Sequence, residues 1–128
     1  MNLSESAEMY LETLYILSLK HPEVRSVDVA NYMDYSKPSV SRGIHLLRES
    51  GHVDMADTGV LTLTPKGKKE AKAIYERHVI IADFLMHLGV EERIANMDAC
   101  RIEHILSEPS FTALKTHFLE DIKKEPKS

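Results

Sequence analysis

With 128 residues, 43% hydrophobic and 28% charged, the chain has the size of one ordinary domain or two small ones and the composition of a soluble globular protein. No apolar run exceeds four residues, Leu14 to Leu17 being one, against the roughly 18 to 20 needed to cross a bilayer. Acidic Glu5, Glu8 and Glu12 stand where a signal peptide would need a basic flank and an apolar core, so the expectation is a cytoplasmic protein with no membrane partner.

The net charge of -4 argues against a nonspecific nucleic-acid coat protein, which would be strongly basic. Residues 1–72 carry nine Lys/Arg and ten Asp/Glu, net -1, and residues 73–128 carry seven and ten, net -3. An acidic partner would therefore meet the first half, and a divalent cation could offset carboxylates in the second. The single cysteine, Cys100, has no disulfide partner in the chain, and is either a buried small side chain or a thiolate with chemistry to perform.

From Ser6 to Lys20 the apolar residues Ala7, Leu11, Leu14 and Tyr15 recur at three- and four-residue steps, with Ser4 and Ser6 available as N-caps, which predicts a first helix ended by Pro22. Ser26 opens a short second helix with Val27, Ala30 and Met33 as its expected buried stripe. Asp34-Tyr35-Ser36 reads as a turn, and Ser36 caps a third helix whose first turn tolerates Pro38. Val40, Ile44 and Leu47 give that helix its inner face, and Gly51 closes it. Val53 to Ala56 and Val60 to Thr64 flank Asp57-Thr58-Gly59 as a small β-hairpin.

Thr64-Pro65 starts a long helix with the stripe Ala71, Ile74, Ile81, Leu85 and Leu88, in which His78 is the polar interruption that should point inward; Gly89 ends it. Helices from about Glu91 to Leu106 and from Pro109 to about Lys123 complete the chain. The fold class is mainly α.

Two short helices joined by a tight turn and followed by a hairpin are the parts of a winged helix-turn-helix, whose second short helix enters the major groove. Ser36, Lys37, Pro38, Ser39, Ser41 and Arg42 lie outward or at the edge of that helix. They offer hydroxyls for phosphates or bases, an arginine able to grip guanine twice, and an apolar ring for a thymine methyl. Lys66, Lys68, Lys69 and Lys72 form a basic run beside the hairpin. The competing readings are a solvated lysine face and a winged helix used for protein contacts.

In the fifth helix, Cys100, Glu103 and His104 stand three and four residues apart, on one face. Thiolate and imidazole favour a transition metal over calcium or magnesium, and the carboxylate adds an anionic oxygen. One helix face rarely completes a coordination shell. The remaining inward polar candidates are His78 and Glu12 with Met9. Taken singly, each has a plainer reading: a hydrogen-bonded core histidine, a surface carboxylate, a packing methionine.

The stretches Ser6-Ala-Glu-Met-Tyr-Leu-Glu-Thr-Leu-Tyr15, Ser36-Lys-Pro-Ser-Val-Ser41, Leu63-Thr-Pro-Lys-Gly67 and Ala99-Cys-Arg-Ile-Glu-His104, in this order, resemble the diphtheria-toxin-repressor family of metal-activated transcriptional repressors. The resemblance implies a winged helix-turn-helix DNA-binding domain over residues 1–72 and a helical metal-binding and dimerisation domain over residues 73–128. At 128 residues the expectation is the compact form without an SH3-like third domain.

Carried over by position, Met9, Cys100, Glu103 and His104 match the primary metal site of the iron-responsive branch, and Glu12 and His78 match ligands of the manganese-responsive branch. Ala82 and Asn96 stand where the iron branch's ancillary site has a carboxylate and a histidine, and Asp83 is turned about 100° away on an ideal helix. Sulfur donors favour Fe(II); length and Glu12 favour Mn(II).

The implied function is metal-dependent repression by a homodimer on double-stranded operator DNA, controlling metal-uptake genes, with no organic cofactor and no catalysis. The alternatives are a winged-helix regulator responding to another metal or an organic ligand and, remotely, a small zinc enzyme built on Cys100, Glu103 and His104.

Overall fold

The structure, a computed structural model, describes residues 3–124 and separates after Ile74 into two compact units. In the first unit, α1 (Glu5–Lys20) begins where the Ala7 amide donates to Ser4 Oγ at 3.1 Å, and Glu5 and Glu8 complement the positive end of the helix. In α2 (Ser26–Met33) the Asp28 carboxylate turns back to accept from the Arg25 amide at 2.8 Å. Asp34 ends it in the left-handed region, φ 57°, a conformation its short polar side chain tolerates. In α3 (Lys37–Glu49) the Ser36 hydroxyl accepts from the Ser39 amide, and Pro38 occupies the first turn, where no intrahelical bond is lost.

The expected inner face of α3 is buried: Val40, Ile44 and Leu47 are all 1% exposed or less. They pack with Tyr10, Leu11, Leu14 and Leu17 of α1 and with Val29 and Ala30 of α2. One expectation for α2 fails. Val27 is 43% exposed while Val29 is fully buried. An eight-residue helix covered on one side uses the 29/30/33 edge, and a spacing pattern over two turns does not distinguish that edge from its neighbour.

Strands β1 (Val53–Met55) and β2 (Leu61–Leu63) pair antiparallel with Val53 opposite Leu63 and Met55 opposite Leu61, each shorter than the sequence pattern suggested. Gly59, at φ 87°, supplies the positive φ that the hairpin needs. The Leu61 amide also donates to the Val24 carbonyl at 2.7 Å, which anchors the hairpin to the segment before α2.

At the foot of the hairpin is a buried polar junction. His52, 1% exposed, meets Ser50 Oγ through Nδ1 and Glu70 Oε2 through Nε2, both at 2.6 Å. Thr64 Oγ1 donates to the Gly51 carbonyl at 2.7 Å and accepts from the Gly67 amide at 3.0 Å. A Cβ on Gly67 would lie 1.9 Å from the His52 carbonyl oxygen, so only glycine allows the start of α4 (Pro65–His87) to approach this closely. The end of α3, the hairpin and the first turn of α4 are thus held at one point.

The second unit contains the rest of α4, α5 (Glu92–Ile105) and α6 (Glu108–Lys124). Its core is Ile81, Ala82, Ala99 and Phe111, with Ile80, Leu85, Met86, Ile102 and Leu106 packed against it. The Phe84 and Phe118 rings stand 5.3 Å apart, and the Arg77 guanidinium lies 4.9 Å from the Phe111 ring centroid while donating to the Leu106 carbonyl. Phe111 and Phe118 are therefore core within the protomer, whereas Leu119 is 41% exposed. Leu88, expected in the α4 stripe, is 64% exposed, because it falls after the last helical residue, where Gly89 turns the chain away.

Candidate metal centre and nucleic-acid interface

The helical spacing of Cys100, Glu103 and His104 on α5 brings their ligand atoms within 4.8 Å of one another. The Glu103 side chain is fully buried, and each of its oxygens faces an imidazole. Oε2 is 3.0 Å from His78 Nδ1 of α4, and Oε1 is 3.1 Å from His104 Nε2. The His104 side chain is 1% exposed and that of His78 is 21% exposed. Taking a carboxylate out of water costs several kcal/mol unless positive charge compensates it. One oxygen donor, two nitrogen donors and a half-buried sulfur around that carboxylate fit a first-row divalent transition ion better than calcium or magnesium.

Asn96 was absent from the set of candidate ligands, and it lies against His78. Its Oδ1 lies 3.0 Å from His78 Nε2, while its Nδ2 donates to the Glu92 carbonyl at 2.9 Å. No periodicity identifies such a residue; its signals were its position one turn before Cys100 on the same helix and its place at the ancillary-site histidine in the family resemblance. Ala82 is 2% exposed in the core, and the neighbouring Asp83 is exposed. Met9 and Glu12 lie one turn apart on α1 of the first unit. Glu12 is buried and Met9 half-buried, with the Met9 carbonyl accepting from Thr13 Oγ1 at 2.9 Å.

On α3, Ser36, Lys37, Pro38, Ser41 and Arg42 are exposed and Ser39 is half-buried. Two of the hydroxyls are already engaged. Ser36 Oγ donates to Ser39 Oγ at 2.8 Å, and Arg42 Nη2 reaches the same Ser39 oxygen at 3.4 Å. Lys37, Pro38, Ser41 and the rest of the Arg42 fork take no part in these bonds, and the Ser36 and Ser39 hydroxyls keep capacity for a further partner. His45 continues this exposed face one turn further, its Nε2 against Glu49 Oε1.

The first turn is fixed from below by Tyr10, whose hydroxyl donates to the Ser39 carbonyl at 3.3 Å and whose ring meets Tyr35 edge-on. Burial and the neighbouring Tyr35 push the Tyr10 phenol up, with Arg42 pulling the other way, so it remains a neutral donor. The hairpin tip is tied down where Arg25 Nε donates to the Thr58 carbonyl at 3.3 Å. Lys66 donates to the Ser50 carbonyl, while Lys68, Lys69 and Lys72 are exposed along α4. A helix-turn-helix and wing above an exposed basic helix start is the geometry that reads a DNA groove. Among the described residues no helix is long and apolar enough to cross a membrane.

Comparison with known proteins agrees with both halves. Residues 2–60 match the iron dependent repressor N-terminal DNA binding domain, and residues 64–128 match the iron dependent repressor metal binding and dimerisation domain. The chain belongs to the iron dependent repressor family, which consists of metal-dependent, DNA-binding transcriptional regulators rather than enzymes.

An uncharacterized HTH-type transcriptional regulator of Methanocaldococcus jannaschii is 32% identical over 94% of this chain and 98% of its own length. The transcriptional regulator MntR of Salmonella typhimurium is 35% identical over 85% of this chain and 69% of its own. The solved structure of the manganese regulator SloR superposes with a TM-score of 0.79 at 28% identity, covering 93% of this chain and 55% of that one. The chain thus spans about half the length of that solved relative.

Proposed function

We propose that the chain is a repressor that takes up Fe(II) or Mn(II) and, as a homodimer, binds operator DNA through the exposed first turns of α3, controlling metal-uptake genes in the cytoplasm. The observation that carries this reading is the buried Glu103 carboxylate with an imidazole nitrogen against each oxygen. The proposed ligands are Met9, Glu12, His78, Cys100, Glu103 and His104.

A bound ion supplies the positive charge that this anionic cluster shares. The residues do the rest. Met9 and Glu12 are carried by α1, in the unit that holds α3, whereas His78, Cys100, Glu103 and His104 are carried by the unit that matches the dimerisation domain. Metal uptake would narrow the range of separations open to the two α3 helices of a dimer. Half-sites on duplex DNA recur about one helical turn apart, roughly 34 Å, so operator affinity follows that separation. Ser36, Lys37, Pro38, Ser39, Ser41 and Arg42 provide the phosphate and base contacts, with the helix N-terminus adding attraction for phosphate.

Selection from a random-sequence duplex library with Mn(II), with Fe(II) under anaerobic conditions, and with chelator tests the proposal. Enrichment of a two-fold operator only with metal, lost in His104→Ala, is the expected result. Equal enrichment with chelator would overturn it in favour of a regulator with another effector or none.

A further inference from the structure

We infer that Asn96 is a positioning residue for the metal centre, fixing the proton of His78 on Nε2 so that Nδ1 is the nitrogen offered to the ion. The inference rests on the metal-binding reading given under Proposed function and adds a residue to it. An amide group has one accepting and one donating end. The donating end of Asn96 is used by the Glu92 carbonyl, 2.9 Å from Nδ2, which leaves the oxygen turned to His78 Nε2 at 3.0 Å. An oxygen that only accepts requires a proton on the facing nitrogen. The other nitrogen, Nδ1, lies 3.0 Å from Glu103 Oε2. With the proton held on Nε2, Nδ1 is the ring nitrogen that His78 would present to an ion, on the side of the Glu103 carboxylate.

The arrangement follows the general rule that a metal-bound histidine gives its second N–H to an acceptor that sets its tautomer and ring orientation. Here the acceptor is on α5, one turn before Cys100, so the helix that carries three donors also orients the fourth. It also assigns a use to residue 96 other than ligation. The amide oxygen points at an N–H, which engages one of its two lone pairs.

Nitrogen-15 spectra of histidine-labelled protein loaded with cadmium-113 test this directly. Cadmium coupling to His78 Nδ1, with the proton on Nε2, is expected; coupling to Nε2 would overturn the inference. In Asn96→Ala the His78 signals should divide between tautomers and Mn(II) affinity should fall about 10- to 100-fold, the usual effect of losing such a partner. Asn96→Asp, which keeps an accepting oxygen, should hold the tautomer and stay within a few-fold of wild-type affinity.

Wild-type Mn(II) affinity in Asn96→Ala, with Glu103→Gln binding none, would sink the Asn96 role while leaving the metal centre standing. Wild-type affinity in both variants would sink the metal centre as well. The cadmium spectrum of the unmodified protein decides the tautomer even if Asn96→Ala does not fold.

Discussion

Replacing Glu103 by glutamine keeps the shape of the most buried polar side chain in the second unit and removes its charge. Its carboxylate faces His78 Nδ1 at 3.0 Å and His104 Nε2 at 3.1 Å, with no exposure to solvent. If this is the centre of the metal site, an ion at a hundred times its dissociation constant stabilises the wild-type fold by about 2.7 kcal/mol, through binding to the native state alone. For a chain of this length 1 kcal/mol corresponds to roughly 4 °C in melting temperature, so the metal-dependent rise should be about 10 °C.

Loss of the only anionic oxygen donor on α5 that faces both imidazoles should raise the dissociation constant at least about 100-fold. The same metal concentration then contributes roughly 0.4 kcal/mol, or 1 to 2 °C. Calorimetric melting of each protein with and without Mn(II) gives both increments, and taking the difference within one variant cancels any effect of the substitution on the metal-free fold. An increment in Glu103→Gln equal to that of wild type would refute the argument.

Other substitutions test the remaining parts of the structure. Gly67→Ala should destabilise the first unit by about 1 to 3 kcal/mol in urea unfolding, because the added methyl has to displace the His52 carbonyl; an unchanged midpoint would contradict the close approach. Ile81→Ala should cost about 2 to 5 kcal/mol and Leu88→Ala within about 0.5, given exposures of 2% and 64%. Equal losses would mean that the end of α4 is misassigned. Arg42→Ala should reduce specific operator affinity by about 1 to 3 kcal/mol if the free part of its fork reads a base, or flatten the salt dependence if it touches only phosphate. No change in either would remove Arg42 from the interface.

Much of this fold is legible because its boundaries are written in local chemistry. Ser4, Ser36 with Pro38, and Thr64 with Pro65 mark three helix starts, and Gly51 and Gly89 mark where two helices turn away. The grouping of Cys100, Glu103 and His104 is legible for the same reason, since helical geometry alone places residues three and four apart together. His78 announces itself only as a polar break in an apolar stripe; which carboxylate it faces depends on how α4 packs on α5.

Contacts made across long separations are not legible in this way. The Ser50, His52 and Glu70 junction joins residues up to 20 apart, and nothing in the spacing of Glu70 distinguishes it from its solvated neighbours. Val27 and Leu88 were misplaced because periodicity ranks faces, and the choice between adjacent faces is made by the partner surface and by where the helix stops.

The central claim is that metal capture and DNA binding are two ends of one equilibrium. Thermodynamic linkage then requires the operator to tighten metal binding by the factor through which metal tightens operator binding, about 5- to 150-fold in comparable systems. Mn(II) titration followed by electron paramagnetic resonance, with and without a saturating selected operator duplex, measures this directly. The account predicts a manganese dissociation constant lowered by the same factor as the operator's; a manganese affinity indifferent to the duplex would contradict it.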